Sequence, residues 1–104
     1  MALIYKILPR EEWETAVAAG VFNGSAVDLA DGFIHFSAFD QVAETRKRHF
    51  AGQRDLVLVA VETEPLGEAL KWEVSRGGAL FPHLYGPLDP AAAVSVEPIE
   101  APRR

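Results

Sequence analysis

Leu56 to Val61 reads LVLVAV, a continuous apolar run with no polar alternation. A strand with one wet face alternates apolar and polar side chains, so a continuous β-branched run predicts a central strand buried on both faces. The core must be built around it. At 104 residues, with 49% apolar composition, the chain has enough material for one such core and too little for two. A single domain over residues 1–104 is therefore expected, with Ala101 to Arg104 as a frayed tail.

The flanking segments supply what that strand needs. Leu3 to Leu8 (LIYKIL) is β-rich, carries only Lys6 as a charge, and ends at Pro9, which predicts a first strand. Pro9 suits a first helical turn, Glu11 and Glu12 favour the positive end of the helix dipole, and Trp13, Ala16 and Val17 share a face before Gly20. Ser25 and Asp28 have the spacing of a weak capping box, enough for one helical turn before Asp31-Gly32. Asp31 to Ser37 (DGFIHFS) reads as a short strand, and Ser37 can cap a helix running from Phe39 to Gly52. Thr63 to Ala69 is a loop. Leu70 to Val74 and Phe81 to Tyr85 alternate as strands around a Ser75 to Ala79 loop, and Ala93 to Ile99 supplies a last strand, with Pro98 marking an edge. The order β-α-β-α-β-β-β-β predicts an α+β domain, a compact and mostly antiparallel sheet covered by two short helices.

Charge and composition remove whole classes of function. A net charge of -5 argues against a nucleic-acid scaffold, and the basic cluster Arg46-Lys47-Arg48 is accounted for as the last turn of a helix. With no cysteine there are no disulfides, thiolate nucleophiles or sulfur-ligated metals. His35, His49 and His83 lack paired ligand spacing, so no metal site is expected. No stretch approaches the ~20 apolar residues of a membrane span, and a soluble, cytoplasmic protein is expected.

The chemically richest stretch is Leu70 to Gly86 (LKWEVSRGGALFPHLYG). Strand alternation sets Glu73 and Lys71 against Leu70, Trp72 and Val74, which assigns Trp72 to the core. It also gives Phe81, His83 and Tyr85 one face, and likewise Phe33, His35 and Ser37. If these faces converge, they form a cleft holding an acid, two imidazoles, a hydroxyl, a phenol and aromatic walls. Arg76 with the Gly77-Gly78 amides could receive an anion there. Each group has a structural alternative: His35 and His83 as hydrogen-bonded strand residues, Glu73 as a solvated residue or an ion-pair partner of Arg76, and Phe81-Pro82-His83 as a rigid turn. A Ser37-histidine-acid triad lacks a nucleophile elbow.

In order along the chain, YKI, GFIHFS, DLVLVAV, WEVSRGG and FPHLYG resemble the bacterial domain-of-unknown-function family 952, across essentially the whole sequence. The resemblance implies a fold like that of the ADP-ribosyltransferase superfamily, which binds NAD between split sheet halves. It would place Lys6 where a first-strand His or Arg holds the adenosine ribose; lysine there could grip a phosphate instead. Ser37 with His35 would brace the nicotinamide side, and Glu73 would stabilise an oxocarbenium-like state at the nicotinamide ribose. The function expected is a nucleotide-sized cleft for NAD, ADP-ribose or a related phosphorylated small molecule. Glu73, His35 and His83 would be its catalytic groups, with Lys6, Phe33, Ser37, Arg76, Gly77, Gly78, Phe81 and Tyr85 binding ligand. The alternatives are a non-catalytic sensor using the same cleft, or a protein-interaction module using Phe33, Phe81 and Tyr85 as an exposed patch.

Overall fold

The computed structural model of the chain describes residues 2–99, with the side chain of Arg76 outside that description. The expected frayed tail, Ala101 to Arg104, also lies outside the described residues. The elements are β1 (Leu3–Pro9), α1 (Arg10–Ala19), α2 (Ala26–Asp31), β2 (Ile34–His35), α3 (Val42–His49), β3 (Leu56–Glu62), β4 (Leu70–Val74), β5 (Leu80–Leu84) and β6 (Ala93–Ile99). Short 3-10 turns at Phe39–Gln41, Glu64–Ala69, Arg76–Gly78 and Pro90–Ala92 join them.

The strands form two antiparallel three-stranded sheets, ordered β1-β3-β6 and β2-β5-β4, where the sequence suggested one. The chain between Ile34 and Ser37 causes the split by changing partner. His35 pairs with His83 in β5, while Ser37 and Tyr5 exchange backbone hydrogen bonds of 2.7 and 2.8 Å. That bridge hinges the second sheet onto β1 of the first.

β3 is the central strand of its sheet, as its composition demands: Leu56, Val57, Val59 and Val61 are each no more than 1% exposed. Ile4, Leu8, Trp13, Phe22, Ile34, Phe36, Leu84 and Leu88 complete the core on either side of it. Each such side chain contributes roughly 1.5–3 kcal/mol on full burial. β6 pairs only with β3, so Pro98 sits on an edge strand where its missing N–H costs least.

Four local expectations change. Val17 is exposed, lying at the edge of the stripe, about 40° past Trp13 on the side away from Ala16. The expected Phe39–Gly52 helix is shorter, starting as a 3-10 turn and ending at His49, with Phe50 as its C-cap and Gly52 in the following turn. Ser37 does not cap it; the Gln41 side chain accepts from the Ala38 N–H at 2.8 Å instead. Trp72 is 46% exposed rather than core, since β4 is an edge strand whose outer face overhangs the core that Leu84 fills from β5.

Candidate functional site

β5 is the middle strand of the second sheet, and its residue His83 lies opposite His35 of β2 on one side and Lys71 of β4 on the other. Glu73 is two residues beyond Lys71, on the same face. Alternation along three strands therefore assembles His35, His83 and Glu73 on one side of the sheet. Phe33, just before β2, stacks on His83 with ring centroids 4.1 Å apart and also contacts His35 at 4.5 Å and Tyr85 at 5.2 Å.

Two carboxylates organise this face. Glu73 Oε1 accepts from both His83 Nδ1 and the Tyr85 hydroxyl at 2.7 Å. The His83 bond, then the Tyr85 bond, hold the Glu73 carboxyl below its usual range, and the same bond raises the Tyr85 phenol. An ionised carboxylate can only accept, so it holds the His83 proton on Nδ1 and leaves Nε2 as the acceptor nitrogen.

Asp28 is the second organiser. It is 1% exposed, and all four of its acceptor sites are used. Oδ1 takes the His35 ring at 2.6 Å and the His35 backbone N–H at 3.0 Å. Oδ2 takes Lys6 Nζ at 3.0 Å and the Ser25 N–H at 2.8 Å, the latter completing the capping box of α2. Burial pushes its pKa up, but the His35 hydrogen bond, the Lys6 charge and the two backbone bonds outweigh burial and bring it to about 2. Burial lowers the Lys6 ammonium from its usual value despite the opposing pull of Asp28.

Lys6 also donates to the His35 carbonyl at 2.9 Å, so two of its three donors serve the scaffold. His35 Nε2 meets Asp31 Oδ2 at 3.0 Å, leaving both ring nitrogens facing carboxylates. With a carboxylate oxygen beside each nitrogen, neither side of the His35 ring is open to a ligand.

A cleft of about 530 Å³ opens where the two sheets meet, within the range of small-molecule sites. Tyr5 and Lys6 of β1, His35 and Ser37, and Phe81 and His83 of β5 line it, with Thr45, His49 and Phe50 forming the α3 wall. The Ser37 and Thr45 hydroxyls are hydrogen-bonded to each other at 2.9 Å.

The remaining expected site residues fall around this cleft. Glu73 and Tyr85 stand behind His83 and are not among the lining residues. Phe33 is half-buried against Tyr85 and Phe81 is 8% exposed, so of the three aromatics Tyr85 alone is largely exposed. Gly77 and Gly78 lie in the β4–β5 turn outside the lining, and the Gly78 N–H is spent on the Ser75 carbonyl at 2.9 Å. The side chain of Arg76 lies outside the described residues. Among the described residues no three His, Cys, Asp or Glu side chains are grouped to hold a metal ion, and no helix is long and apolar enough to cross a membrane.

Sequence reasoning missed Asp28, Asp31 and Thr45. Only Asp28 had a legible signal: a lysine in the middle of an apolar strand needs a buried acid, and the Ser25–Asp28 spacing put one nearby.

Residues 7–96 match the family described as "Protein of unknown function (DUF952)". The crystal structure of protein CC0527 from Caulobacter crescentus is 62% identical, with a TM-score of 0.91, covering 93% of this chain and 85% of that one. Its solution NMR structure aligns with a TM-score of 0.86 at 61% identity, covering 96% and 86%. No curated protein matches.

Proposed function

We propose that this chain, which belongs to the DUF952 family of proteins of unknown function, binds a nucleotide-like phosphorylated small molecule in the cleft between its sheets and acts on it through His83. The observation that carries this is a buried imidazole lining the cleft, with Nδ1 committed to an ionised carboxylate behind it. A carboxylate on Nδ1 fixes the tautomer, makes Nε2 a stronger acceptor and stabilises the imidazolium that forms when it takes a proton.

The lining suits such a ligand. Tyr5, Phe50 and Phe81 offer aromatic surface to a base, and Glu12 and Asp31 offer acceptors to ribose hydroxyls. NAD and ADP-ribose are the first ligands to try, on the resemblance to the ADP-ribosyltransferase superfamily; a cleft at the seam of two sheets is compatible with it. In this assignment Glu73 is a positioning residue and His83 the group that meets substrate. His35, Lys6 and Asp28 form a rigid wall.

A second role for the same cleft is supported by His35, whose nitrogens both face carboxylates: an imidazole so held is a structural part of the wall, and a non-catalytic sensor would need no base there. Two-dimensional amide NMR with NAD, ADP-ribose and AMP tests for a ligand. Shifts concentrated at Phe33 to Ser37 and Phe81 to Tyr85 are expected, and their absence at millimolar ligand would retire the nucleotide assignment. Glu73→Gln then separates the two roles, lowering turnover in an enzyme and only affinity in a sensor.

A further inference from the structure

β4 is the edge strand of its sheet, and its hydrogen-bonding phase is fixed by its neighbours. Tyr85 N–H donates to Ala69 O and Ser75 N–H to Ala79 O, both at 2.8 Å, so the bonded pairs across β4 and β5 fall at 71/83 and 73/81. Trp72 lies opposite Pro82, which has no N–H to give, in keeping with that phase. The backbone groups of Leu70, Trp72 and Val74 therefore point away from β5. Leu70 N–H is capped by Gly67 O. The outward groups of Trp72 and Val74 and the Leu70 carbonyl have no backbone partner among the described residues.

Proteins usually blunt such an edge with charge, proline or a bulge. Here one face of the edge is apolar: Trp72 is 46% exposed and Val74 70%, with Leu80 opposite Val74 at 51%. Lys71 and Glu73 occupy the other face.

The geometry points to a second copy of this chain as the occupant, paired antiparallel along β4 about a two-fold axis through Trp72. In that register Trp72 faces its own copy and exchanges two backbone bonds with it. Val74 N–H meets the Leu70 carbonyl of the other copy twice more, so the already-capped Leu70 N–H is the one edge donor not required. Lys71 falls opposite Glu73 in both directions, in non-bonded pairs where side chains approach closest. This self-complementary charge pattern is what favours a second copy over a foreign strand. His83 and Tyr85 both use Glu73 Oε1, so Oε2 remains to accept from the incoming lysine. The two sheets would become one six-stranded sheet, with a lysine from each copy beside the other's Glu73.

The pairing is short, at the small end of stable interfaces, so the dimer should dissociate on dilution. Sedimentation equilibrium of the full chain is expected to show a monomer–dimer equilibrium, with Trp72 emission shifting to the red as the dimer dissociates. Lys71→Glu and Val74→Pro should each weaken association by tenfold or more, while far-UV circular dichroism stays unchanged. Mixing the Lys71→Glu chain with a Glu73→Lys chain restores opposite charges at both cross-strand pairs and should recover a heterodimer. A wild-type chain that stays monomeric at its highest soluble concentration would overturn the assignment, whether or not an added extended apolar peptide binds the edge. So would a dimer indifferent to both Lys71→Glu and Val74→Pro, because its interface would lie elsewhere.

Discussion

Lys6 Nζ and Asp28 Oδ2 stand 3.0 Å apart with side chains 8% and 1% exposed, joining β1 to α2 through a buried ion pair. The pair sits directly behind the His35 wall of the cleft, so scaffold stability and site geometry share these atoms. Lys6→Met fits the apolar strand but removes the ammonium beside Asp28, leaving the His35 ring and two backbone N–H groups to hold it. Removing one member of a buried pair typically costs about 3–5 kcal/mol, a large part of the stability of a domain this size. Urea unfolding should show that loss; a cost below about 1 kcal/mol would mean that His35 alone suffices to hold Asp28.

Acid should expose the same dependence. Asp28 titrates at about 2 in the folded protein against 3.8 ordinarily, so its contribution is fully present above the unfolded value and disappears as pH falls from about 4 to about 2. At 1.36 kcal/mol per pKa unit this amounts to about 2 kcal/mol. Glu73, also depressed, acts in the same direction. Urea midpoints measured between pH 5 and pH 2 should decline, and Asp28→Asn should flatten much of that decline. An unchanged pH dependence in the Asn variant would assign acid sensitivity to other carboxylates.

Gly24 holds the approach to this centre. Its φ is +121°, and a Cβ placed there would come within 2.7 Å of Asp28 Cβ, with no flexible tip to move aside. Gly24→Ala should cost about 1–3 kcal/mol from backbone strain and overpacking together. It should also perturb the His35 ring resonances in NMR, because Asp28 cannot retreat without releasing His35. Gly20→Ala also places a side chain at positive φ, +79°, but with open space around it, and serves as the control that carries backbone strain without the clash.

What could be read in the sequence followed from one-dimensional periodicity. LVLVAV predicted the most buried strand, and alternation in β2, β4 and β5 grouped Phe33, His35, Glu73, His83 and Tyr85 before any coordinates. Periodicity says which face a side chain takes, not whether anything covers that face, and Trp72 fell on an apolar face that overhangs the core. Nor does it say which strands adjoin, so the split into two sheets at Ser37 was hidden. Asp28 looked like a helix cap because one of its oxygens is one. Its other contacts come from residues 22 positions before it and seven after it, and only the fold brings those together.

His83 and Glu73 provide a test of the chemistry that needs no substrate. If Glu73 fixes the tautomer, long-range 1H–15N NMR at neutral pH should show a protonated Nδ1 and a lone-pair Nε2 on His83. In Glu73→Gln the neutral amide can donate as well as accept, so tautomer selection should relax and the Tyr85 phenol, no longer raised by a carboxylate, should titrate lower. Where turnover of a ligand is found, the same change should reduce kcat by roughly 10²- to 10⁴-fold, the range for losing a group that orients a histidine base. Ligand affinity should move far less, because Glu73 does not line the cleft. Finding the proton on Nε2 in the native protein would remove His83 as a base. The His35 ring already faces a carboxylate at each nitrogen, so a binding role would become the favoured assignment.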